Sequence, residues 1–311
     1  MSEENIDIRE ALNERGGFQV WWRLARPHTL TAAFIPVFVG TMFAYLNDQV
    51  FKIDLFIVML VASLLIQIAV NMFNEYYDYV RGLDTEKSVG IGGTIVRDGV
   101  APKTVLRLGF IFFGIAILLG VYICMQTTWW IAVIGLISMI IGYLYTGGPI
   151  PIAYTPFGEL TSGFLMGTVI MGISYYIQTF TVTIEIVLVS LPVAIFIGAI
   201  MMANNIRDLD GDKESGRKTV AILLGRKNAI KFFASMFITA FLITIILIAV
   251  GILPLWSLIT LLSVMKAVEA VKGYIGKTQP IEMMPAMIAT GKTNSFYGLL
   301  LGLSLLIASF I

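Results

Sequence analysis

Two short clusters of asparagine and aspartate are the residues of this chain best suited to chemistry. The first contains Asn74, Asp78 and Asp84, with the turn residue Gly82 between its last two members. Asn74 and Asp78 are four residues apart, so they share one face of a helix. We expect Gly82 to end that helix, because glycine is common at helix C-termini, and this leaves Asp84 in the loop near the same face.

The second cluster repeats this pattern later in the chain. Asn204, Asp208 and Asp212 follow one another at a spacing of four, so they share a face if the helix extends through all three. Asp210 then points away and is interpreted as a solvated loop charge. One such cluster alone has an ordinary alternative explanation, a polar helix end in contact with water. Two matched clusters favour a shared functional site.

Carboxylates gathered in this way need a counter-charge. Converging carboxylates repel one another, and a divalent cation removes that repulsion. Mg²⁺ prefers carboxylate oxygens together with substrate phosphates. The pattern therefore predicts a cradle for a magnesium–diphosphate complex, and Arg207, Arg217 and Lys218 lie close enough in sequence to neutralise phosphate oxygens.

The elements that carry these clusters must lie in a membrane. Of the 311 residues, 58% are hydrophobic and 13% are charged, about half the charged fraction that soluble domains carry. The net charge of +1 gives no indication of a nucleic-acid partner. His28 and Cys124 are the single histidine and cysteine, so their number excludes a metal site built from several such residues.

The apolar residues fall into nine blocks, most of them long enough to cross a bilayer core of about 30 Å. The connections after the odd-numbered spans are short, and those after spans two, six and eight are long and charged. The predicted spans are 28–47, 54–81, 104–125, 128–146, 156–178, 183–207, 228–250, 252–274 and 293–311.

The basic residues fall almost entirely on one side of these spans, and Lys52 alone is left for the other. Because cytoplasmic loops carry an excess of lysine and arginine, we predict a cytoplasmic N-terminus and an external C-terminus in the inner or plasma membrane. We divide the chain into a cytoplasmic segment, 1–27, and a transmembrane domain, 28–311. The polar start of the chain predicts no removable signal peptide. The basic residues include Arg9, Arg15 and Lys87.

The two clusters, Asn74-x₃-Asp78-x₅-Asp84 and Asn204-x₃-Asp208-x₃-Asp212, closely resemble the Asp-rich motifs of the UbiA-type intramembrane prenyltransferases. The resemblance covers nearly the whole chain. Ubiquinone-type members usually have three residues before the last aspartate of the first motif. The five residues found here resemble the menaquinone-pathway branch, which prenylates 1,4-dihydroxy-2-naphthoate. Residues 25–30, 143–154, 158–159, 204–208 and 216–219 resemble the same branch.

The resemblance implies an all-α fold of nine transmembrane helices around a central cavity, with Mg²⁺ and isoprenyl diphosphate at its cytoplasmic mouth. The resemblance also implies the reaction. Diphosphate departs from a long isoprenyl chain, the aromatic ring attacks the resulting allylic cation, and the ring carboxylate is lost as CO₂ to give demethylmenaquinone. The implied metal ligands are Asp78, Asp84, Asp208, Asp212, Asn74 and Asn204. The implied catalytic residues are the same four aspartates and Tyr145. The implied substrate-binding residues are Asn74, Asn204, Arg207, Lys218, Arg97 and Arg26.

Several further residues have two interpretations. Tyr145 has a π face suited to an allylic cation, since aromatic rings attract cations within about 6 Å, but tyrosine also packs at membrane interfaces. Residues 146–151 contain two glycines and two prolines and form either a wall of the site or a plain turn. The loop 90–94 with Arg97 is a candidate cap. Many relatives have aspartate where this chain has Glu75, and we interpret the exchange as tolerated because the charge is kept.

Two other functions fit parts of the pattern. A prenyltransferase of the same superfamily with another aromatic acceptor, such as 4-hydroxybenzoate or homogentisate, shares the diphosphate chemistry. A secondary transporter also places carboxylates in a membrane, although those couple ions near the middle of the spans. Here both clusters lie at the cytoplasmic ends, which favours the enzyme. The preferred isoprenyl length does not follow from the sequence.

Overall fold

A computed structural model describes residues 17–84 and 93–311, and the regular structure within those ranges is helical throughout. Some residues considered from the sequence lie outside the described residues, namely Arg9, Arg15, Lys87 and loop residues 90–92. The helices are α1 (Phe18–Ala25), α2 (Pro27–Asp48), α3 (Ile53–Val80), α4 (Thr94–Asp98), α5 (Pro102–Gln126), α6 (Trp130–Leu144), α7 (Gly158–Thr179), α8 (Ile184–Arg207), α9 (Leu209–Glu214), α10 (Val220–Leu224), α11 (Arg226–Ala249), α12 (Val264–Lys272) and α13 (Pro280–Ala308).

The first eight predicted spans coincide with helical segments to within a few residues. Among the described residues, six helices are long and apolar enough to cross a membrane, namely α2, α3, α5, α7, α8 and α11. The helix α6 is shorter but also apolar. A 3₁₀ segment, Leu255–Ser263, continues into α12, and together they fill the eighth predicted span. The all-α membrane fold predicted from the sequence is confirmed.

The last span differs from its prediction, because α13 begins at Pro280 and not near residue 293. Its first half carries polar residues, which lower its hydropathy. Thr290, Thr293 and Asn294 are nevertheless at most 1% exposed. The hydroxyl groups of Thr290 and Thr293 donate to backbone carbonyl oxygens one turn earlier, at 2.8 Å each. These side chains face protein instead of lipid, so hydropathy alone placed the start of the helix too late.

Small residues allow the central helices to pack closely. A Cβ atom built on Gly298 of α13 would lie 2.1 Å from the Ile35 side chain of α2. A Cβ atom on Gly167 would lie 2.4 Å from the Cα atom of Ala194 in α8. Gly167 belongs to a π-helical turn of α7, Gly163–Val169. Close backbone approach at small residues is how membrane helices associate without a hydrophobic driving force.

The connections alternate between two ends of the bundle, as predicted. At one end, the Gln49 side chain donates to the carbonyl oxygen of Ser309 at 3.3 Å, which joins the end of α2 to the end of α13. At the same end, the backbone N–H of Lys52 donates to the Gln178 side chain at 2.6 Å. The ends of α3 and α8 and the starts of α2 and α13 meet around one cavity instead. The clusters therefore lie at the end opposite to Lys52.

Candidate active site

The first cluster lies where α3 ends and the chain folds back. Asn74 and Asp78 occupy the last two turns of α3. Gly82 has a φ angle of +70°, a conformation that favours glycine, and the turn lets the backbone N–H of Leu83 donate to the carbonyl oxygen of Asp78 at 2.9 Å. Asp84 is thereby held beside the helix end and lines the same cavity as Asn74 and Asp78.

The second cluster crosses the junction between α8 and α9. The backbone N–H of Asp212 donates to the carbonyl oxygen of Asp208 at 2.9 Å, so helical spacing continues across the junction. Asn204, Asp208 and Asp212 all line the cavity that the first cluster lines. Asp210 also borders the polar cavity, but its side chain is 70% exposed and pairs with Arg226 at 2.8 Å, which agrees with its interpretation as a solvated loop charge.

Two cavities meet between these clusters. The polar one, of about 830 Å³, contains the six residues of the two clusters. The second, of about 410 Å³, runs between α3, α5, α6, α7 and α8 and is lined almost wholly by apolar groups. A charged head group and a long apolar tail can therefore be held end to end. The residues that line both cavities are Arg26, Thr29, Asn74, Tyr145, Met201 and Asn204.

Arg217 joins the two clusters. Its guanidinium contacts Asp78 on one side and Asp212 on the other, at 3.0 Å each. It also stacks on Tyr154, with its Cζ atom 4.7 Å from the ring centroid. The sequence indicated Arg217 only as a possible neutralising charge, because nothing in the chain between Asp78 and Arg217 reveals that they meet. Its position between the two acidic residues makes it the central cation of the site.

Asn71 and Glu75, the polar residues beside the first cluster, hold the junction between α1 and α2. Asn71 donates to the carbonyl oxygen of Ala25 at 3.0 Å. Glu75 is fully buried and pairs with Arg26 at 3.2 Å. Arg26 has a φ angle of +51°, an uncommon conformation for a residue other than glycine. These contacts hold Arg26 where its guanidinium also donates to Asn74 at 3.2 Å.

Glu75 also anchors α4. Its Oε1 atom accepts hydrogen bonds from the backbone N–H groups of Gly93 and Ile95, at 2.7 and 3.3 Å, and from the Thr94 hydroxyl at 3.0 Å. A carboxylate at the start of a helix satisfies N–H groups that the helix leaves unpaired. The interpretation of Glu75 as a tolerated replacement for a site carboxylate missed this positioning role.

We therefore expect Glu75→Gln to loosen α4 and Arg26 together. The amide keeps the size of the side chain but removes the charge that pairs with Arg26, at an expected loss of about 2 kcal/mol in stability. Hydrogen exchange should rise at residues 93–98. Glu185→Gln, in the first turn of α8 at the opposite end of the bundle, is the control and should leave exchange at residues 93–98 unchanged. Unchanged exchange in Glu75→Gln would contradict this role.

The remaining predicted site residues divide into those that line the polar cavity and those that do not. Arg207 lines it, and its guanidinium contacts Asp208 and Met287. Tyr145 lines it as well. Lys218 is exposed, and its backbone N–H donates to Tyr154 at 2.8 Å. Arg97 is 5% exposed and packs behind Gly93. Neither Lys218 nor Arg97 is among the lining residues.

The proline- and glycine-rich stretch 146–151 is also absent from the lining of both cavities. Arg81, which follows the last residue of α3, donates to the carbonyl oxygens of Thr146 and Gly148, the latter at 2.8 Å. The stretch is thereby tied to the end of the first cluster. Its flanking residues Tyr145 and Ala153 reach the polar cavity.

The electrostatics of the site favour protonation of two aspartates. Burial raises the pKa of Asp84 to about 7, and the neighbouring charges of Asp78 and Glu75 add to the rise. Burial also raises the pKa of Asp212 to about 7, although Arg217 opposes the change. Both carboxyl groups therefore titrate near neutral pH.

As a result, the metal-free protein should lose stability as the pH rises from about 4 to about 7. Asp84 and Asp212 bind protons more tightly in the folded chain than in the unfolded chain, where the pKa is about 3.9. Their contribution is present at low pH and is lost as the pH rises through about 7. Melting temperatures in detergent with EDTA test this. Asp212→Asn should flatten the decline and Asp210→Asn should not, and equal slopes for both variants would contradict the assignment.

The donor set fits a hard divalent cation. Carboxylate and amide oxygens are the ligands that Mg²⁺ accepts, and Mg²⁺ sites usually combine one or two carboxylates with waters and substrate phosphates. Within residues 17–84 and 93–311, no three acidic, histidine or cysteine side chains converge into a complete cage. Arg217 lies between Asp78 and Asp212 instead. The arrangement therefore suits metal ions that are bound jointly by protein side chains and by the oxygens of a bound diphosphate.

Comparison with known proteins agrees with this architecture. A 1,4-dihydroxy-2-naphthoate octaprenyltransferase of Bacillus subtilis is 53% identical over 94% of each chain. One of Escherichia coli is 25% identical over 88% of this chain and 91% of its own. The structure of a UbiA homolog from Archaeoglobus fulgidus bound to DMAPP and Mg²⁺ has the same fold, with a TM-score of 0.63 and 15% identity over 92% of this chain and 99% of its own.

The match to a protein family covers most of the chain. Residues 33–278 match the UbiA prenyltransferase family, and this range includes both Asn/Asp clusters, Arg217 and Tyr145. The two clusters occupy one cavity mouth, as the sequence resemblance implied. The chain is a member of the UbiA prenyltransferase family.

Proposed function

We propose that this protein transfers a long isoprenyl chain from its diphosphate to 1,4-dihydroxy-2-naphthoate and releases diphosphate and CO₂, giving demethylmenaquinone in its reduced, quinol form. The observation that carries the proposal is the polar cavity mouth with two Asn/Asp clusters, which opens onto an apolar cavity. The 53% identity to the Bacillus subtilis octaprenyltransferase supports the naphthoate as the acceptor. Membership of a prenyltransferase family favours the enzyme over a transporter.

We assign Mg²⁺ as the cofactor and the two clusters as its ligands. When bound, Mg²⁺ supplies positive charge to the oxygens of the departing diphosphate. Asp78, Asp84, Asp208 and Asp212 offer carboxylate oxygens, and Asn74 and Asn204 offer amide oxygens. A UbiA homolog from Archaeoglobus fulgidus has been solved with GPP and Mg²⁺, which supports the assignment by analogy.

The arginines assist departure of the diphosphate. Arg217 and Arg207 present guanidinium groups to the polar cavity, and such groups stabilise phosphate charge that develops in a transition state. The carbon–oxygen bond to the diphosphate breaks, and the electron-rich ring forms a carbon–carbon bond to the allylic carbon. Tyr145 lies at the boundary of the two cavities, where its ring can face the allylic cation.

The apolar cavity protects the reaction from water. Its walls hold the isoprenyl tail, so the reacting carbon lies where the polar cavity ends. An allylic cation formed there meets the aromatic ring and not bulk water, which suppresses hydrolysis. We retain the prediction that the clusters face the cytoplasm, with residues 1–27 as a cytoplasmic segment before one domain, 28–311. The inner or plasma membrane is the proposed location.

Activity of the purified protein in detergent tests the proposal. The protein is incubated with Mg²⁺, a long-chain isoprenyl diphosphate and 1,4-dihydroxy-2-naphthoate, with 4-hydroxybenzoate in a parallel reaction. Mass spectrometry should detect the prenylated, decarboxylated naphthoquinol, together with the naphthoquinone that dissolved oxygen forms from it, and EDTA should abolish both. Product from 4-hydroxybenzoate alone would keep the diphosphate chemistry and overturn the acceptor. No product from either acceptor would overturn the proposed function.

A further inference from the structure

A row of polar side chains continues from the first cluster into the apolar cavity. Ser63, Gln67 and Asn71 follow one another at a spacing of four along α3, and all three line the apolar cavity. Thr29 of α2 lies opposite and contacts both Gln67 and Asn71. An isoprenyl tail has no group that needs such residues. The row therefore indicates a second ligand with polar substituents.

The hydrogen bonds of this row fix the orientation of the Gln67 amide. The carbonyl oxygen of Ala25 can only accept, so the amide nitrogen of Asn71 faces it, at 3.0 Å. The Asn71 oxygen is thereby turned to Gln67 and must accept from the Gln67 nitrogen, at 3.2 Å. The Gln67 nitrogen also donates to Thr29 at 3.3 Å. Both of its N–H groups are used within the protein.

The Oε1 atom of Gln67 is left over. Among the described residues, no group donates a hydrogen bond to it. Gln67 is 9% exposed, and its side chain lines the apolar cavity. Its Oε1 atom is not fully enclosed by protein atoms, so a ligand in the cavity can reach it. The N–H donors of Gln67 and Asn71 are used in hydrogen bonds within the protein, which explains them as packing contacts. Packing does not explain an acceptor left open to an apolar cavity.

We propose that this row is the subsite for the hydroxylated ring of the acceptor, and that Gln67 Oε1 accepts a hydrogen bond from a ring hydroxyl. Gln67 lies seven residues before Asn74, about 10 Å along α3, which leaves room for a bicyclic ring between Gln67 and the diphosphate site. A hydroxyl that donates to a carbonyl oxygen releases more electron density into its ring. The bond therefore strengthens as the ring attacks the allylic cation and becomes positively charged.

This inference rests on the proposed function for the identity of the ring, and its test separates the two. Wild type and Gln67→Met are compared with 1,4-dihydroxy-2-naphthoate and with two analogues that each lack one hydroxyl group. Affinity is read from the intrinsic fluorescence of the naphthoate, and kcat/KM is measured for each compound. Gln67→Asn, which keeps the amide but shortens its reach, is the second variant in case Gln67→Met does not fold.

With the dihydroxy compound, the variants should weaken binding and lower kcat/KM about tenfold, the loss expected for one buried hydrogen bond. With the analogue that lacks the contacted hydroxyl, wild type and variants should differ less than about twofold. The KM for isoprenyl diphosphate should not change. The control is Gln178→Met, because Gln178 is a buried glutamine that bonds Lys52 at the opposite end.

Equal losses for all three compounds would overturn the subsite and leave Gln67 as a packing residue. A loss confined to compounds with one particular hydroxyl supports it. Hydroxyl-specific binding without any prenylated product would overturn the proposed function and keep the subsite. Product formation without hydroxyl-specific losses would overturn the subsite and keep the proposed function.

Discussion

Asp78→Asn is expected to lower kcat for prenyl transfer by about a thousandfold, and Asp208→Asn by a similar factor. Asparagine keeps the shape of each side chain but removes the charge that holds a metal ion against the diphosphate. Removal of one group that stabilises transition-state charge costs about 10²–10³ in rate, and loss of metal affinity adds to it. The measurement is product formation at saturating substrate over a series of Mg²⁺ concentrations.

Asp210→Asn is the matched control for these variants. Asp210 lies in the same segment as Asp208 and Asp212, but its side chain is 70% exposed and pairs with Arg226. We expect its kcat to stay within about threefold of wild type, since an exposed ion pair contributes little. An Asp78→Asn or Asp208→Asn variant with near wild-type activity at saturating Mg²⁺ would remove these aspartates from the site.

Arg217→Gln is expected to lower kcat about a hundredfold and to make stability strongly dependent on Mg²⁺. Arg217 is the cation between Asp78 and Asp212. Without it, the two carboxyl groups face each other unpaired, at an expected cost of about 3 kcal/mol in the absence of metal. A divalent cation supplies the missing charge, so Mg²⁺ should raise the melting temperature of this variant more than that of wild type.

The comparison variant is Arg226→Gln, whose arginine pairs with the exposed Asp210. Mg²⁺ should change its melting temperature by the same amount as in wild type. If Mg²⁺ stabilises Arg217→Gln no more than wild type, Arg217 does not share the acidic site with the metal. For Arg217→Lys, the rise in melting temperature caused by Mg²⁺ should lie between those of wild type and Arg217→Gln. Lysine keeps the charge but not the geometry that reaches two carboxylates.

Local patterns in the sequence predicted most of the fold. Long apolar blocks must become helices in a bilayer, since no other backbone arrangement but a closed barrel satisfies its own hydrogen bonds there. The pattern failed at α13, where Thr290, Thr293 and Asn294 are polar but face protein. Hydropathy does not distinguish a side chain that faces lipid from one that faces another helix.

The site was predictable where its members lie close in sequence, and less so elsewhere. Asn74 and Asp78 share a face because of their spacing alone, and so do Asn204 and Asp208. The role of Glu75 depends on Gly93 and Arg26, which reach it only through the tertiary fold. Arg217 and Lys218 were equally plausible from sequence as neighbouring cations, yet only Arg217 reaches the two clusters.

The junction of the two cavities has a consequence for how a reaction cycle ends. In the proposed reaction, the substrates carry a diphosphate and a carboxylate to the polar mouth, and the prenylated product carries neither. Nothing then retains the product among charged groups, so it leaves through the hydrocarbon while diphosphate returns to water. The prenylated product and diphosphate enter different phases, and the reverse reaction requires both of them, together with CO₂, to come back to one point at the same time. Partitioning of the products between the membrane and water thus favours the forward direction.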